Sequence, residues 1–201
     1  MATGPPADTD SGTRRNRDSM ADQAKFTLLG ETIRARGSMV TMATRHYRGP
    51  DGSEFDRDVV HHPGAVAVVP LLDDDRVVLV RQFRTPLDRE TLELPAGVRD
   101  KDGENPAECA ARELREETGY TAETIDELCV THTAPGFSDE EITLFVARGL
   151  TPGTNEADGV EEQHMSAMAF TFDQIDDMIS SGELTDAKTI LATCLLRQRG
   201  L

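Results

Sequence analysis

Tryptophan is absent from this chain of 201 residues, tyrosine occurs twice and cysteine three times, and the longest apolar run, residues 65–72, is short. Each shortage excludes something. Cys109, Cys129 and Cys194 are odd in number and show no Cys-x-x-Cys spacing. That removes a disulfide framework and a thiolate zinc site, and leaves buried or incidental thiols of a reducing cytoplasm. The apolar run falls far below the roughly 20 residues of a membrane-spanning helix, and no apolar core with a small-residue cleavage site opens the sequence. Basic residues are also scarce: 21 Lys and Arg face 37 Asp and Glu, for a formal net charge of -16. So acidic a surface repels nucleic-acid backbones and anionic headgroups, so neither nucleic acid nor membrane is expected as a partner. A small phosphorylated ligand is compatible with it only where cations mediate the contact. Solubility alone would account for the sign of the charge equally well.

What the chain does have is order along its length. Residues 1–22 are rich in Gly, Pro, Thr, Asp and Arg and carry almost nothing large and apolar, which predicts a disordered tail. Residues 26–34, 39–47 and 54–61 have strand character, with Gly49-Pro50-Asp51-Gly52 as a turn, and form a small N-terminal antiparallel sheet within an arm at 23–62. A main domain at 63–201 follows. Its Val-rich runs 65–72 and 77–83, separated by Asp73-Asp74-Asp75, predict a buried hairpin. Asn105, Pro106 and Glu108 stand in the order a helix start prefers, and Gly119 closes that helix. Further strands are expected at 124–132, 142–147 and 165–172, then helices at 173–180 and 186–197. Strands and helices without βαβ regularity indicate an α+β fold with a mixed sheet.

Residues 97–120, GVRDKDGENPAECAARELREETGY, carry the chemistry. At 100° per residue Glu113 and Glu117 lie about 40° apart, one turn above the other, and can share a ligand. Ala107, Ala110, Ala111, Leu114 and Thr118 form a narrow, mostly small stripe that packs on the sheet, so the two glutamates are expected at the rim of a packed face. Like charges at this spacing cost the helix roughly 0.2–0.5 kcal/mol, and desolvation adds to that. Arg112 is spaced to pair with Glu108 and Glu116 at the back of the helix. A hard divalent cation is the natural partner of the remaining pair, and oxygen ligands favour magnesium, with manganese as the alternative, over zinc. An isolated Glu-x-x-Glu-Glu would be read as a solvated charged face.

More than that is present. The spacing E-x7-R-E-(apolar)-x-E-E-x-G with a preceding glycine closely resembles the signature of the Nudix hydrolases, and its eight fixed positions coincide by chance in such a chain on the order of once in a million or less. There are two departures: Gly97 stands one residue further from Glu104 than usual, and Tyr120 replaces an aliphatic residue. The resemblance implies an α/β/α sandwich around a mixed sheet and hydrolysis of a nucleoside diphosphate linked to another group. Carried over by position, Glu113, Glu116 and Glu117 would bind metal with the backbone carbonyl of Ala96, and Glu117 would serve catalysis. Arg112 would hold the glutamates, and Gly97 and Gly119 would be structural.

Outside this box the chain looks like the ADP-ribose pyrophosphatase branch of that family, from about residue 59 to 192. Glu93-Leu94-Pro95-Ala96-Gly97 matches the branch's entry to the box, Gln82-Phe83-Arg84 resembles its substrate-contacting strand, and Pro135 stands at the branch's marker position. The branch activates water with a glutamate on a loop beyond the box; here Glu162 is favoured and Glu161 kept open. Arg57 and Arg84 are candidates for the diphosphate or terminal ribose, because guanidinium forks suit phosphate oxygens, and Glu93 for a metal or hydroxyl contact. Homodimers that exchange N-terminal sheets are usual in the branch. The scarcity of aromatics makes an adenine sandwich less assured and keeps other nucleoside diphosphate sugars and dinucleotides open. So is a non-catalytic nucleotide sensor, although such proteins typically lose box glutamates that are all present here. A pool-cleaning enzyme for oxidised nucleoside triphosphates gains nothing from Pro135 or the arm.

Overall fold

The computed structural model describes residues 25–154 and 164–200. The expected tail at 1–22 and the pair Glu161 and Glu162 lie outside them. The N-terminal arm forms strands β1 (Thr27–Arg36), β2 (Thr41–Arg48) and β3 (Glu54–His61), an antiparallel sheet in the order β1-β2-β3. Phe55 stacks on Tyr47 and meets the edge of Phe26, a three-ring cluster on this sheet. The sheet also exposes Leu28, Leu29, Ile33 and Met42, with Phe26 at 64% and Met39 at 53% exposure, an apolar surface that the other described residues leave open.

Strand β4 (Ala65–Pro70) begins the main body, followed by β5 (Val77–Arg84), β6 (Arg89–Glu93), β7 (Ala96–Val98), helix α1 (Pro106–Thr118) and the short β8 (Tyr120–Thr121). Next come β9 (Thr124–His132), β10 (Glu141–Arg148), β11 (Thr151–Pro152), β12 (Ser166–Phe170), α2 (Phe172–Ser181) and α3 (Ala187–Gln198). The central sheet has the order β7-β4-β10-β9, with β4 and β10 parallel and its other pairs antiparallel, so it is mixed as expected. Its two faces are both covered. Val66, Val68, Phe145 and Ala147 pack under α1 with Ala110 and Leu114. The alternate residues Ala65, Ala67, Val69 and Leu144 face Ile175 of α2 and Ala192 and Leu196 of α3. Period-2 alternation between two apolar covers explains why β4 reads as a continuous apolar run.

That same property overturns the expected hairpin. β4 and β5 are joined as a ladder only by the isolated antiparallel bridge Leu71 to Val77 beside the Asp73-Asp74-Asp75 turn, and then enter different sheets. β5 instead forms the middle of a separate sheet, β12-β5-β6. Strands apolar on both faces need cover on both, and two sheets supply more of it than one ribbon. The last expected strand also ends early: Thr171 caps α2 with Gln174 in a reciprocal box, so Phe172 belongs to the helix.

The arm meets the body along residues 60–62. Val60 donates its N–H to the Phe137 carbonyl at 2.7 Å and accepts from the Asp139 N–H at 3.2 Å. His61 bridges Asp139 of the body and Glu31 of β1, the latter at 3.0 Å, while Arg45 also pairs with Glu31. Asp139 first, and then Glu31, raise the His61 pKa above its ordinary 6.5. A raised folded pKa stabilises fully below the unfolded value and loses that contribution as pH rises through the folded one. A His61→Gln variant should therefore lose most melting temperature relative to wild type at about pH 6 and progressively less towards about pH 9. Equal losses at both ends would show that the imidazolium charge does not hold the arm.

Candidate active site

Helix α1 is fixed at both ends. The Asn105 side chain accepts the Ala107 and Glu108 N–H groups, the Glu108 carboxylate accepts the Asn105 N–H at 3.0 Å, and Gly119 ends the helix in the left-handed region at φ 75°. Its buried face comprises Cys109, Ala110, Glu113, Leu114 and Glu117, whereas Ala111 is exposed. Glu113 and Glu117 are 7% and 5% exposed, so they stand inside the packed face and not at its rim. Two adaptations allow this. The Ala96 N–H donates to Glu117 Oε2 at 3.0 Å. Gly97 leaves space for Glu113: a Cβ there would lie 1.9 Å from Glu113 Oε1.

Arg112 differs from the expected pairing. It forks onto both oxygens of Glu104 at 2.9 and 3.0 Å, and its Nη1 also reaches Glu113 at 2.6 Å and Glu116 at 2.8 Å. Glu108 is engaged in the helix cap instead. One guanidinium thus joins three carboxylates, which raise its pKa, led by Glu104. The neighbouring Cys109 is buried, and that burial first, then Glu104 nearby, pushes its thiol up to about 12 and makes it inert. Cys194, by contrast, is exposed.

On β5 and β6 a second charged group lines a cleft of about 350 Å³. Arg84 bonds Glu93 through Nε at 2.8 Å and Nη2 at 2.6 Å, the Thr91 hydroxyl donates to the same carboxylate, and Lys188 of α3 approaches from the other side. Burial alone would raise the Glu93 pKa, but Arg84 and Lys188 outweigh it and hold the carboxyl at about 2. Glu93 is therefore a fixed anion clasped by two cations. Arg84 is raised above its ordinary value mainly by Glu93, against burial, with Glu117 and Asp186 adding to the effect, so the cleft and the box glutamates share one field.

Arg57 and Pro135 come together elsewhere, in a cavity of about 280 Å³ between the arm and the loop at 135–139, with Tyr47 and Phe137 in its lining. The Arg57 guanidinium lies 4.7 Å from the Phe55 ring centre. Arg57 and Arg84 thus occupy separate cavities in this chain. Lys188, Asp186 and Thr91 escape sequence reasoning: Asp186 is expected there only as the first residue of the last helix, which it in fact caps, and nothing local joins Lys188 to a strand 95 residues earlier.

As they stand, no three His, Cys, Asp or Glu side chains among the described residues converge as a metal cluster, because Arg112 engages Glu113 and Glu116 while Ala96 engages Glu117. The donor chemistry nevertheless fits a hard divalent cation. Glu104, Glu113, Glu116 and Glu117 bring four negative charges to one largely buried place, against Arg112 and the exposed edge contact of Lys101 at 3.9 Å. Their oxygens suit magnesium-like ions, which avoid sulfur.

Residues 61–192 match the NUDIX domain profile. The chain is 38% identical over 161 residues to the methanol dehydrogenase activator of Bacillus methanolicus, spanning 80% of this chain and 86% of that one. It is 37% identical over 156 residues to the ADP-ribose pyrophosphatase of Bacillus subtilis (strain 168), spanning 78% and 84%. In three dimensions it superposes on an ADP compounds hydrolase with a TM-score of 0.76 over 87% of this chain and 93% of the other, at 24% identity, a likeness of fold.

Proposed function

Because the chain belongs to the Nudix hydrolase family, in its ADP-ribose and nucleoside diphosphate sugar pyrophosphatase branch, we propose that it hydrolyses ADP-ribose to AMP and ribose 5-phosphate with magnesium. The observation that carries this reading is the seating of Glu113 and Glu117 against Gly97 and Ala96, which brings two buried carboxylates one helical turn apart into a place whose oxygens suit a hard cation. Family members generally require a divalent metal. Glu113, Glu116, Glu117 and the Ala96 carbonyl would hold it here. When bound, the cation supplies Lewis acidity: it neutralises the diphosphate and acidifies water near neutral pH.

The chain's own residues do the rest. Arg112 holds Glu113 and Glu116 in place through its Nη1. Arg84, its fork fixed by Glu93, offers its remaining N–H groups to the diphosphate. Water adds to one phosphorus, the bond from that phosphorus to the bridging oxygen breaks, and the proton of the water passes to a loop carboxylate, Glu162 before Glu161. Gly97 and Gly119 act through the backbone, Pro135 would contact the substrate, and Arg57 would meet the diphosphate or the terminal ribose. The exposed apolar surface on the arm, residues 23–62, supports a homodimer formed through that sheet, and the cysteine pattern supports a cytoplasmic location.

Substrates incubated with magnesium and resolved by product test this. AMP from ADP-ribose at a rate well above that from other nucleoside diphosphate sugars and dinucleotides is expected. Preferred cleavage of another such sugar would move the substrate assignment within the branch. Tight binding without turnover would favour a sensor. Calorimetric titration should register magnesium or manganese uptake, and its absence with and without nucleotide would remove the reading altogether. Sedimentation should give twice the 22.0 kDa chain mass.

A further inference from the structure

Helix α3 enters the site region by its first turn only. Asp186, its cap, accepts the Thr189 N–H at 3.0 Å and the Lys188 ammonium at 2.9 Å. The Thr189 hydroxyl accepts the Leu94 N–H at 2.8 Å. Lys188, 8% exposed, bonds Glu93. One helical turn therefore grips two successive residues, Glu93 by its side chain and Leu94 by its backbone. This segment runs directly into Ala96 and Gly97, which seat Glu117 and Glu113.

The consequence falls on Arg84. Its two inner N–H groups are spent on Glu93, and Glu93 holds one orientation because Lys188 and Thr91 bind it from other sides. A carboxylate clasped by a single arginine can pivot with it; one fixed from behind by a buried lysine cannot. From this we infer that Lys188 is a positioning residue for substrate: acting through Glu93, it aims the Arg84 guanidinium into the cleft. The inference deepens the proposed function and rests on it for the substrate to be used.

The test is a double-mutant cycle on the full chain, with Lys188→Met, Lys188→Arg, Arg84→Ala and the pair Lys188→Met/Arg84→Ala. Lys188→Met should raise KM for ADP-ribose about tenfold with kcat little changed, the pattern of lost binding to both ground and transition states. Lys188→Arg should restore most of the affinity. In the Arg84→Ala background the lysine change should alter KM less than about twofold, because residues acting through one another are not additive. A second readout needs no turnover: the Arg84 Nε–H resonance, protected by its bond to Glu93, should be seen in wild type and Lys188→Arg and lost in Lys188→Met. Additive KM effects, or an Arg84 resonance unaffected by Lys188→Met, overturn the inference. If wild type fails on every nucleotide, the proposed function falls, and the resonance still decides the role of Lys188.

Discussion

A Glu117→Gln variant should lose activity by about a thousandfold or more, several kcal/mol of lost transition-state stabilisation, while melting within a few degrees of wild type. The two halves of that expectation have separate grounds. The amide keeps the carboxylate's shape and an oxygen that still accepts the Ala96 N–H at 3.0 Å. Removing the charge also relieves the repulsion with Glu113 one turn away, a term of roughly 0.2–0.5 kcal/mol that favours the variant's helix. What is lost is the anion that would grip a cation. Measured kcat/KM within tenfold of wild type would mean that Glu117 is merely a buried hydrogen-bond acceptor.

Gly97→Ala should be the second severe change, and it acts without replacing any ionisable group. The added methyl would stand 1.9 Å from Glu113 Oε1 and 2.0 Å from Cδ, far inside contact distance. Because the obstacle is the end of a flexible side chain, Glu113 can move away and the fold should survive. We expect a loss of at least about a hundredfold in activity with weakened metal uptake, together with a modest fall in melting temperature. Adding Glu113→Ala to Gly97→Ala should recover the lost melting temperature and none of the activity. A single mutant with wild-type metal affinity would show that Glu113 does not need this seat.

The sequence made the local features visible and hid the distant ones. The helix of residues 106–118 was readable because its cap, its terminal glycine and its carboxylate spacing are all adjacent in the chain. The strands at 54–61 and 124–132 likewise declared themselves by flanking turns. The supposed hairpin failed because a run apolar on both faces says that a strand is covered twice, but not by which neighbours. Helical spacing alone gives Arg112 the partners Glu108 and Glu116. That logic omits Glu104, which lies before the helix and reaches it only once the loop folds back. Lys188 was illegible for the same reason on a larger scale: its partners come from a sheet edge far away in sequence.

The join between arm and body also has a mechanical meaning. His62 packs against Glu140, its imidazole 3.7 Å from a carboxylate that lines the cleft beside Arg84, while Val60 is laced to the preceding turn at Phe137. Arm and cleft wall thus share one short support, residues 60–62, so the outer sheet is anchored on the same stretch as a carboxylate that borders the cleft.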